Sequence, residues 1–412
     1  MNGESQKPLW PRATLAALTG LNLFNYLDRF VLSAVTSPIQ QEFGLSEGQL
    51  GRLNTAFMLG YFVTSPFFGY LGDRAPRRWL VVAGIIVWSL GTVSTGLALT
   101  LGGMLVARAF VGLGEASYAT VSPAWIADLF PKAKRNNALT IFYVAIPVGA
   151  ALGVGLGGVV AEHQGWRTAF FWAGGPGLLL ALLTLLLREP PRGASDSEPV
   201  AAKPAARDYL QLLHLPDYLL VVGGYTAYTF ALGAFGYWGP RYLVVVHGMG
   251  NEKAALFFGG TLAVAGLFGT FIGGFAATAW QRRNPAGYAW ILGLSVCAAA
   301  PVAAVAFLTH STPLAMTCLA GAMLLLFLST GPVNTLILET VPVNMRACAM
   351  AGSIFCIHLL GDFWSPEIVG HLADGMHSLR RAVMILPLAL AVATVLWVWL
   401  ALRTKRQYPV TA

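Results

Sequence analysis

The sequence predicts an all-α membrane protein: twelve transmembrane helices in two pseudo-symmetric six-helix bundles, with both termini cytoplasmic. Three observations carry this. The 412 residues are 56% hydrophobic and 11% charged, whereas soluble domains carry about 25% charged residues. Twelve apolar segments can be drawn along the chain, each of about 20 residues or more, the length that ~30 Å of hydrocarbon demands. A polar, proline-bearing stretch divides them six and six.

In chain order, the first nine residues are polar, and the apolar run that follows is too long for the core of a cleaved signal. It reads as a first span over 11–40. Further spans follow at 48–72, 78–99, 101–130, 137–161 and 167–187. Residues 188–207, REPPRGASDSEPVAAKPAAR, hold four prolines and mixed charges, the composition of a flexible linker. The DYLQLLHL that comes next reads as a short amphipathic helix at the inner surface. The second set spans 216–246, 253–279, 286–309, 312–340, 347–372 and 380–402. The expected organisation is a bundle over 1–187, a cytoplasmic linker with a short helix over 188–215, and a second bundle over 216–412.

The net charge of +8 raises nucleic acid as a partner, and its distribution excludes it. Eighteen of the 26 Lys and Arg fall on the side of the termini, among them Arg74, Arg77, Arg78, Lys132, Arg135, Arg282, Arg283 and Arg346. Six lie at the other side: Arg52, Arg167, Arg241, Lys253, Arg380 and Arg381. This asymmetry is the positive-inside rule and sets the expected orientation. The Arg380–Arg381 pair is the one dissenting loop. Cys297, Cys318, Cys348 and Cys356 all lie in apolar spans without metal-ligand spacing, and read as small packing residues.

Span 4 ends in DLFPKAKR, Asp128 to Arg135, and span 10 in ETVPVNMR, Glu339 to Arg346. The pattern acid-x-x-Pro-x-x-x-Arg thus recurs after 211 residues at equivalent places in the two halves. A duplicated six-helix unit is a transporter architecture.

Two charge pairs lie inside spans. Asp28 and Arg29 sit in the NYLDRF of span 1, and Arg108 and Glu115 in the RAFVGLGEAS of span 4. A charge at the bilayer centre costs about 2.5–3.5 kcal/mol on insertion scales. Seven residues are nearly two helical turns, about 10.5 Å of rise, so Arg108 and Glu115 face the same way. Depth counting places Asp28 and Arg29 between them. If both helices face one cavity, the four form one cluster of zero net charge, a proton or substrate site rather than a structural ion-pair network. His358 and Asp362, i and i+4 in span 11, share a face and offer either a structural pair or proton handling. Asn25, Tyr26, Tyr118, Tyr143 and Asn334 are candidate cavity-lining groups.

The loop GYLGDRAPRR, Gly69 to Arg78, combines a tight turn with positive-inside arginines, but these leave Gly69, Gly72 and Asp73 unexplained. It resembles the G-x-L-G/A-D-R-x-x-R-R/K signature of the major facilitator superfamily. That resemblance implies a cytoplasmic gate of Gly69, Gly72, Asp73, Arg74, Arg77 and Arg78, with Asp128, Arg135, Glu339 and Arg346 at the repeated helix ends. The second-half loop GGFAATAWQRR has Thr278 in place of the acid, so the full latch is expected in the first half only. NYLDRF, FGYLGDR, RAFVGLGEASYATVSP, ADLF and FYVAIPVG, with HLLGDFWSP in span 11, are similar to the Spinster family of that superfamily. This implies export or exchange of amphiphilic lipids such as lysophospholipids, sphingosine and sphingosine phosphate, often coupled to protons. It carries over to Asp28, Arg29, Arg108 and Glu115 as the central site. Glu339 departs from the family pattern, where a neutral residue is expected.

No GxSxG, HExxH or GxGD occurs, so neither an enzyme nor a metal site is expected. The expected function is secondary transport of an amphiphilic lipid by alternating access, with protons as the coupling ion and no other cofactor. The runner-up is proton-coupled export of amphipathic drugs or small organic anions. Glu115, nearest the centre, is the first candidate proton carrier and Asp28 the second. Membrane lipids are the expected surroundings, the protein a monomer in a cell (inner) membrane. The ridge of Gly149, Gly153 and Gly157 in span 5, with Gly269 and Gly273 in span 8, is expected to let those two helices slide on each other.

Overall fold

The computed structural model describes residues 11–72, 74–191, 194, 210–342 and 345–407. Among these the regular structure is helical throughout. The long helices are α1 (Pro11–Phe43), α2 (Glu47–Gly72), α3 (Arg77–Leu97), α4 (Leu101–Leu129), α5 (Lys132–Gln164) and α6 (Trp166–Leu185). After the linker come α7 (Pro216–His247), α8 (Asn251–Gln281) and α9 (Gly287–Leu308). The last three spans are broken. The tenth is α10 (Thr312–Phe327) and α11 (Thr330–Glu339). The eleventh is α12 (Arg346–Cys356), a π-helical segment (Ile357–Asp362) and α13 (Ser365–Met376). The twelfth is α14 (Leu379–Ala382) and α15 (Ile385–Gln407).

Eight of these spans are long and apolar enough to cross a bilayer by length and hydropathy alone. The other four are α1, α2, α4 and the eleventh, which include both intramembrane charge pairs and the His358–Asp362 pair. Polar groups lower their hydropathy, not their length. The helix surfaces carry many exposed large apolar side chains, such as Leu99, Leu186 and Phe275, as a lipid-facing surface requires.

Short turns separate the helices. Gly165, at φ +88°, is both the last cap of α5 and the first of α6, a left-handed conformation that a Cβ disfavours. The Thr100 side chain accepts the Gly103 N–H at the start of α4, satisfying one of the orphan donors of a helix N-terminus. Of the inner-surface helix expected after the linker, the described part is a single helical turn at 210–212, with Leu212 buried and Leu210 and Leu213 exposed.

The chain divides into two compact units. The first comprises Met1–Gly44, Leu53–Ala201 and Asn251–Gly259; the second comprises Leu45–Arg52, Ala202–Gly250 and Gly260–Ala412. The first two turns of α2 thus belong with the second unit, and the start of α8 with the first. Trp88, Trp125, Tyr118 and Phe142 fill the core of the first unit, and Trp238, Trp397, Tyr228 and Tyr242 that of the second.

The expected glycine ridge faces a different neighbour. A Cβ at Gly149 or Gly153 would overlap the carbonyls of Leu23 and Leu27 on α1, and one at Gly157 would meet Val31. Gly269 and Gly273 face Phe327 and Leu328. The small residues between α5 and the start of α8 are instead Gly155, Gly158, Ala255 and Gly259, one helical face away. Spacing identified a close-packed seam, but it could not say which neighbour lies against it. Of the four cysteines, Cys297 is exposed on the helix surface rather than packed inside.

Candidate functional site

In the first unit the four intramembrane charges lie on two helices with their neighbours supplied by two more. Asp28 is fully buried on α1 and accepts a hydrogen bond from the Thr92 hydroxyl of α3, with Arg108 within electrostatic reach. Glu115, also fully buried, has Arg29, Asp28 and Arg108 within electrostatic reach and the Asn25 amide beside it. Neither Glu115 oxygen has a donor in good hydrogen-bonding geometry. The sequence-predicted residues Asp28, Arg29, Arg108, Glu115 and Asn25 are therefore brought together.

Both arginines lie against aromatic rings. The Arg29 guanidinium lies 4.7 Å from the centroid of Phe57, 5.6 Å from Tyr61 and 5.8 Å from Tyr26, and donates to Met58 Sδ at 3.2 Å. Arg108 lies 5.0 Å from the same Phe57 ring. A guanidinium over an aromatic face gains about 0.5–2 kcal/mol, more as water is excluded. One phenyl ring thus serves both cations. Phe57, Met58, Tyr61 and Thr92 were missed in the sequence. Phe57 and Tyr61, at i and i+4, share a face of α2, but only the position of α1 reveals what that face meets.

Other candidates lie elsewhere. Tyr118 is fully buried, with its hydroxyl on the Leu18 carbonyl and its ring against Trp88 and Phe142, so it packs the core of the first unit. Tyr143 is 47% exposed. In the second unit, Asn334 donates to the Thr330 carbonyl one turn earlier at 3.1 Å. His358 Nδ1 lies 3.0 and 3.2 Å from the two oxygens of Asp362, and Tyr225 faces the same carboxylate. Both residues lie in the π segment, a widened turn of the kind found at functional positions. Thr229 of α7 donates to the Ile357 carbonyl there at 3.3 Å.

Of the expected gate residues, Arg77 forms a buried ion pair with Asp128, joining the start of α3 to the end of α4. The Arg78 backbone N–H donates to Glu189 at 3.1 Å. Arg74 folds back over the Tyr70 ring at 3.6 Å. Gly72 packs against Val121 and Gly69 near Thr120, both on α4. Glu339 is exposed and accepts from Gln281 at 3.4 Å. Asp73 and the side chains of Arg135 and Arg346 lie outside the described residues. Among the described residues no group of His, Cys, Asp and Glu could hold a metal.

Comparison with known proteins places this arrangement. Residues 18–366 match the Major Facilitator Superfamily. The chain is 33% identical over 379 residues to Protein spinster of Drosophila melanogaster, covering 88% of this chain and 62% of that one. It is 34% identical over 391 residues to Protein spinster homolog 1 of Bos taurus, covering 87% and 72%. The chain thus spans under two thirds of the fly relative's length. Two solved structures of a bacterial homologue of the human lysosomal transporter Spinster superpose on it. The inward-facing, occupied form gives a TM-score of 0.86 at 26% identity over 96% of this chain and 97% of that one. The unoccupied form gives 0.88 at 25% identity over the whole of both chains. The expected family and fold hold, and the family is one of multi-pass membrane transporters rather than enzymes. With its charge pairs on α1 and α4 in the first unit and a His–Asp pair on a π-helical turn in the second, the chain belongs to the Spinster family of the major facilitator superfamily.

Proposed function

We propose that the chain moves an amphiphilic lipid, a lysophospholipid or a sphingoid lipid, by alternating access coupled to protons. The observation that carries this reading is the burial of Asp28, Glu115 and Arg108 in one unit, with Arg29 half-buried beside them. Two carboxylates and two guanidiniums are electrically balanced only while both acids are charged. Protonating Glu115 leaves a positive excess, which draws in an anionic headgroup. Losing that proton lets the carboxylate compete for the same arginines and expel the headgroup. The family named by the relatives supports transport, and the lipid substrate rests on the resemblance.

Arg29 is suited to the handover. Its guanidinium lies over the rings of Phe57, Tyr61 and Tyr26, and a guanidinium is a planar fork that matches phosphate or carboxylate. The His358–Asp362 pair is a second proton-handling candidate in the other unit.

The test is uptake of labelled lysophospholipid and sphingosine phosphate into proteoliposomes, with and without an imposed pH gradient, for wild type and Glu115→Gln. Gradient-driven uptake in wild type, reduced to gradient-independent exchange in the variant, is the expected result. If neither lipid moves in either protein, the lipid reading falls, and amphipathic drugs and small organic anions are assayed in the same vesicles.

A further inference from the structure

The Arg380–Arg381 pair violates the charge rule that the rest of the chain obeys, takes no part in the transport reading, and has surroundings of its own. It sits on α14, at the start of the twelfth span and so at the end opposite the C-terminus, with the Arg381 N–H bonded to the Ser378 hydroxyl at 3.3 Å. Arg380 Nη1 lies 2.9 and 3.1 Å from the two ring nitrogens of His310, in the turn between α9 and α10. His247, at the end of α7, joins from a third side. Its Nδ1 is 3.3 Å from the Thr312 hydroxyl and its ring packs on Tyr242. Burial first, and then the charges of Arg380 and His310, push the His247 pKa down.

Among the described residues no carboxylate lies within ion-pair distance of Arg380 or Arg381. The acids of the neighbouring α13 are committed elsewhere. Asp374 accepts the N–H groups of Glu47 and Gly48, and Glu367 pairs with Arg52 and His371. The helix ends that lead into the cluster carry exposed apolar side chains: Val305 and Leu308 late in α9, Leu314 at the start of α10 and Met376 at the end of α13. A basic patch bordered by lipid-facing side chains lies where a headgroup phosphate and the start of its acyl chains would meet the protein. Water-soluble anions have no use for these side chains.

We propose that Arg380, Arg381 and His310, backed by His247, form a headgroup site for the phosphate of an anionic phospholipid of the surrounding membrane, separate from the transported molecule. Paired guanidiniums match phosphate oxygens in geometry as well as charge. His310 accepts from Arg380 through a ring nitrogen. Arginines on this face weaken the topological signal, and a bound anionic headgroup would offset that cost.

The experiment uses the full chain in detergent and reads the retention of dioctanoyl phosphatidylglycerol and dioctanoyl phosphatidylcholine by native mass spectrometry, with affinities from titration. Wild type is compared with Arg380→Gln/Arg381→Gln, Arg380→Lys/Arg381→Lys, and Arg167→Gln. Arg167 falls on the same side in the charge pattern of the sequence but is already paired with Glu42 at 2.5 Å, so its variant is a charge control. The proposal expects tighter binding of phosphatidylglycerol than of phosphatidylcholine. It also expects a loss of about tenfold or more in the Gln variant, partial retention in the Lys variant and none lost in the control. Equal binding of the two lipids, or a Gln variant with wild-type binding, overturns it. Displacement of phosphatidylglycerol by inorganic phosphate at similar concentration overturns the lipid source and assigns the cluster to free anions. A wild-type melting curve for the Gln variant, whose altered residues are at the surface, separates lost binding from lost folding.

Discussion

Glu47 and Arg241, 194 residues apart, form a two-pronged ion pair in which Arg241 Nε donates to Glu47 Oε2 at 2.7 Å while the Arg241 side chain is only 2% exposed. This ties the first turn of α2 to α7 in the second unit. Removing one partner of a buried pair costs about 3–5 kcal/mol, because the other charge loses its counterpart in a dry place. Glu47→Gln is therefore expected to lower the melting temperature markedly, and the swap Glu47→Arg with Arg241→Glu to recover part of the loss. A Glu47→Gln protein that melts like wild type would show that the pair contributes little.

Next to that pair, Asp374 caps α2 from another helix, accepting the N–H groups of Glu47 and Gly48 at 2.8 Å each. Burial tends to raise its pKa, but the Gly48 N–H, the Ser46 hydroxyl, the Glu47 N–H and nearby His371 outweigh this and hold it below the usual carboxylate value. A depressed folded pKa gives stability that is present above the unfolded value of about 3.9 and is lost as pH falls through the folded value. Asp374→Asn should thus melt below wild type at pH 7, with the gap closing towards pH 3. The difference between the two curves separates Asp374 from the Glu47 and Glu367 carboxylates and the Arg52, Arg241 and His371 cations around it. A gap unchanged at pH 3 would assign the effect to shape rather than charge.

Phe57 faces both site arginines, so Phe57→Leu should impair transport although it carries no charge. Each cation–π contact is worth about 0.5–2 kcal/mol and Phe57→Leu loses two, which predicts a severalfold or larger fall in lipid uptake. Arg29→Lys should fall similarly, since an ammonium keeps the charge but loses the planar fork. Uptake per folded protein, with melting curves alongside, is the measurement. Wild-type uptake in both variants would remove the ring cradle from the mechanism.

Gly112 of α4 lies against the backbone of α2, where a Cβ would overlap the Phe57 carbonyl, while Gly102 on the same helix has open space around it. Overpacking costs typically about 1–3 kcal/mol, occasionally more. Gly112→Ala should lose folded protein in detergent, and Gly102→Ala should match or slightly exceed wild type. Equal yields and melting temperatures for the two would show that the helices separate without cost.

Much of this was legible from composition and charge. Asp28, Arg29, Arg108 and Glu115 announced themselves as charges inside apolar runs, and two helical turns between Arg108 and Glu115 put them on one face. The family signature lay in contiguous motifs. Neighbours from other helices were not legible: Phe57 and Thr92 are ordinary residues of apolar spans until α1 is packed against them. Local breaks were hidden as well. Hydropathy over 347–372 cannot separate an α-helix from a π turn at Ile357–Asp362, since it sums the residues of a window whichever way each one faces. The partner of the Gly149–Gly153 ridge was ambiguous for a similar reason. Spacing reports how close a neighbour can come and leaves its identity open.

That ridge restricts how the chain can move. With the carbonyls of Leu23 and Leu27 seated on Gly149 and Gly153, α1 can neither roll nor translate along α5 without lifting off it. The two helices share one set of rigid-body coordinates, and Asp28 and Arg29, on the next turn, travel with both. A change in the surroundings of these charges must then come from rotamers, from displacement of α2, α3 or α4, or from rotation of α1 and α5 together. Spin labels on α1 and α5 should therefore keep one fixed separation in every state the transporter visits.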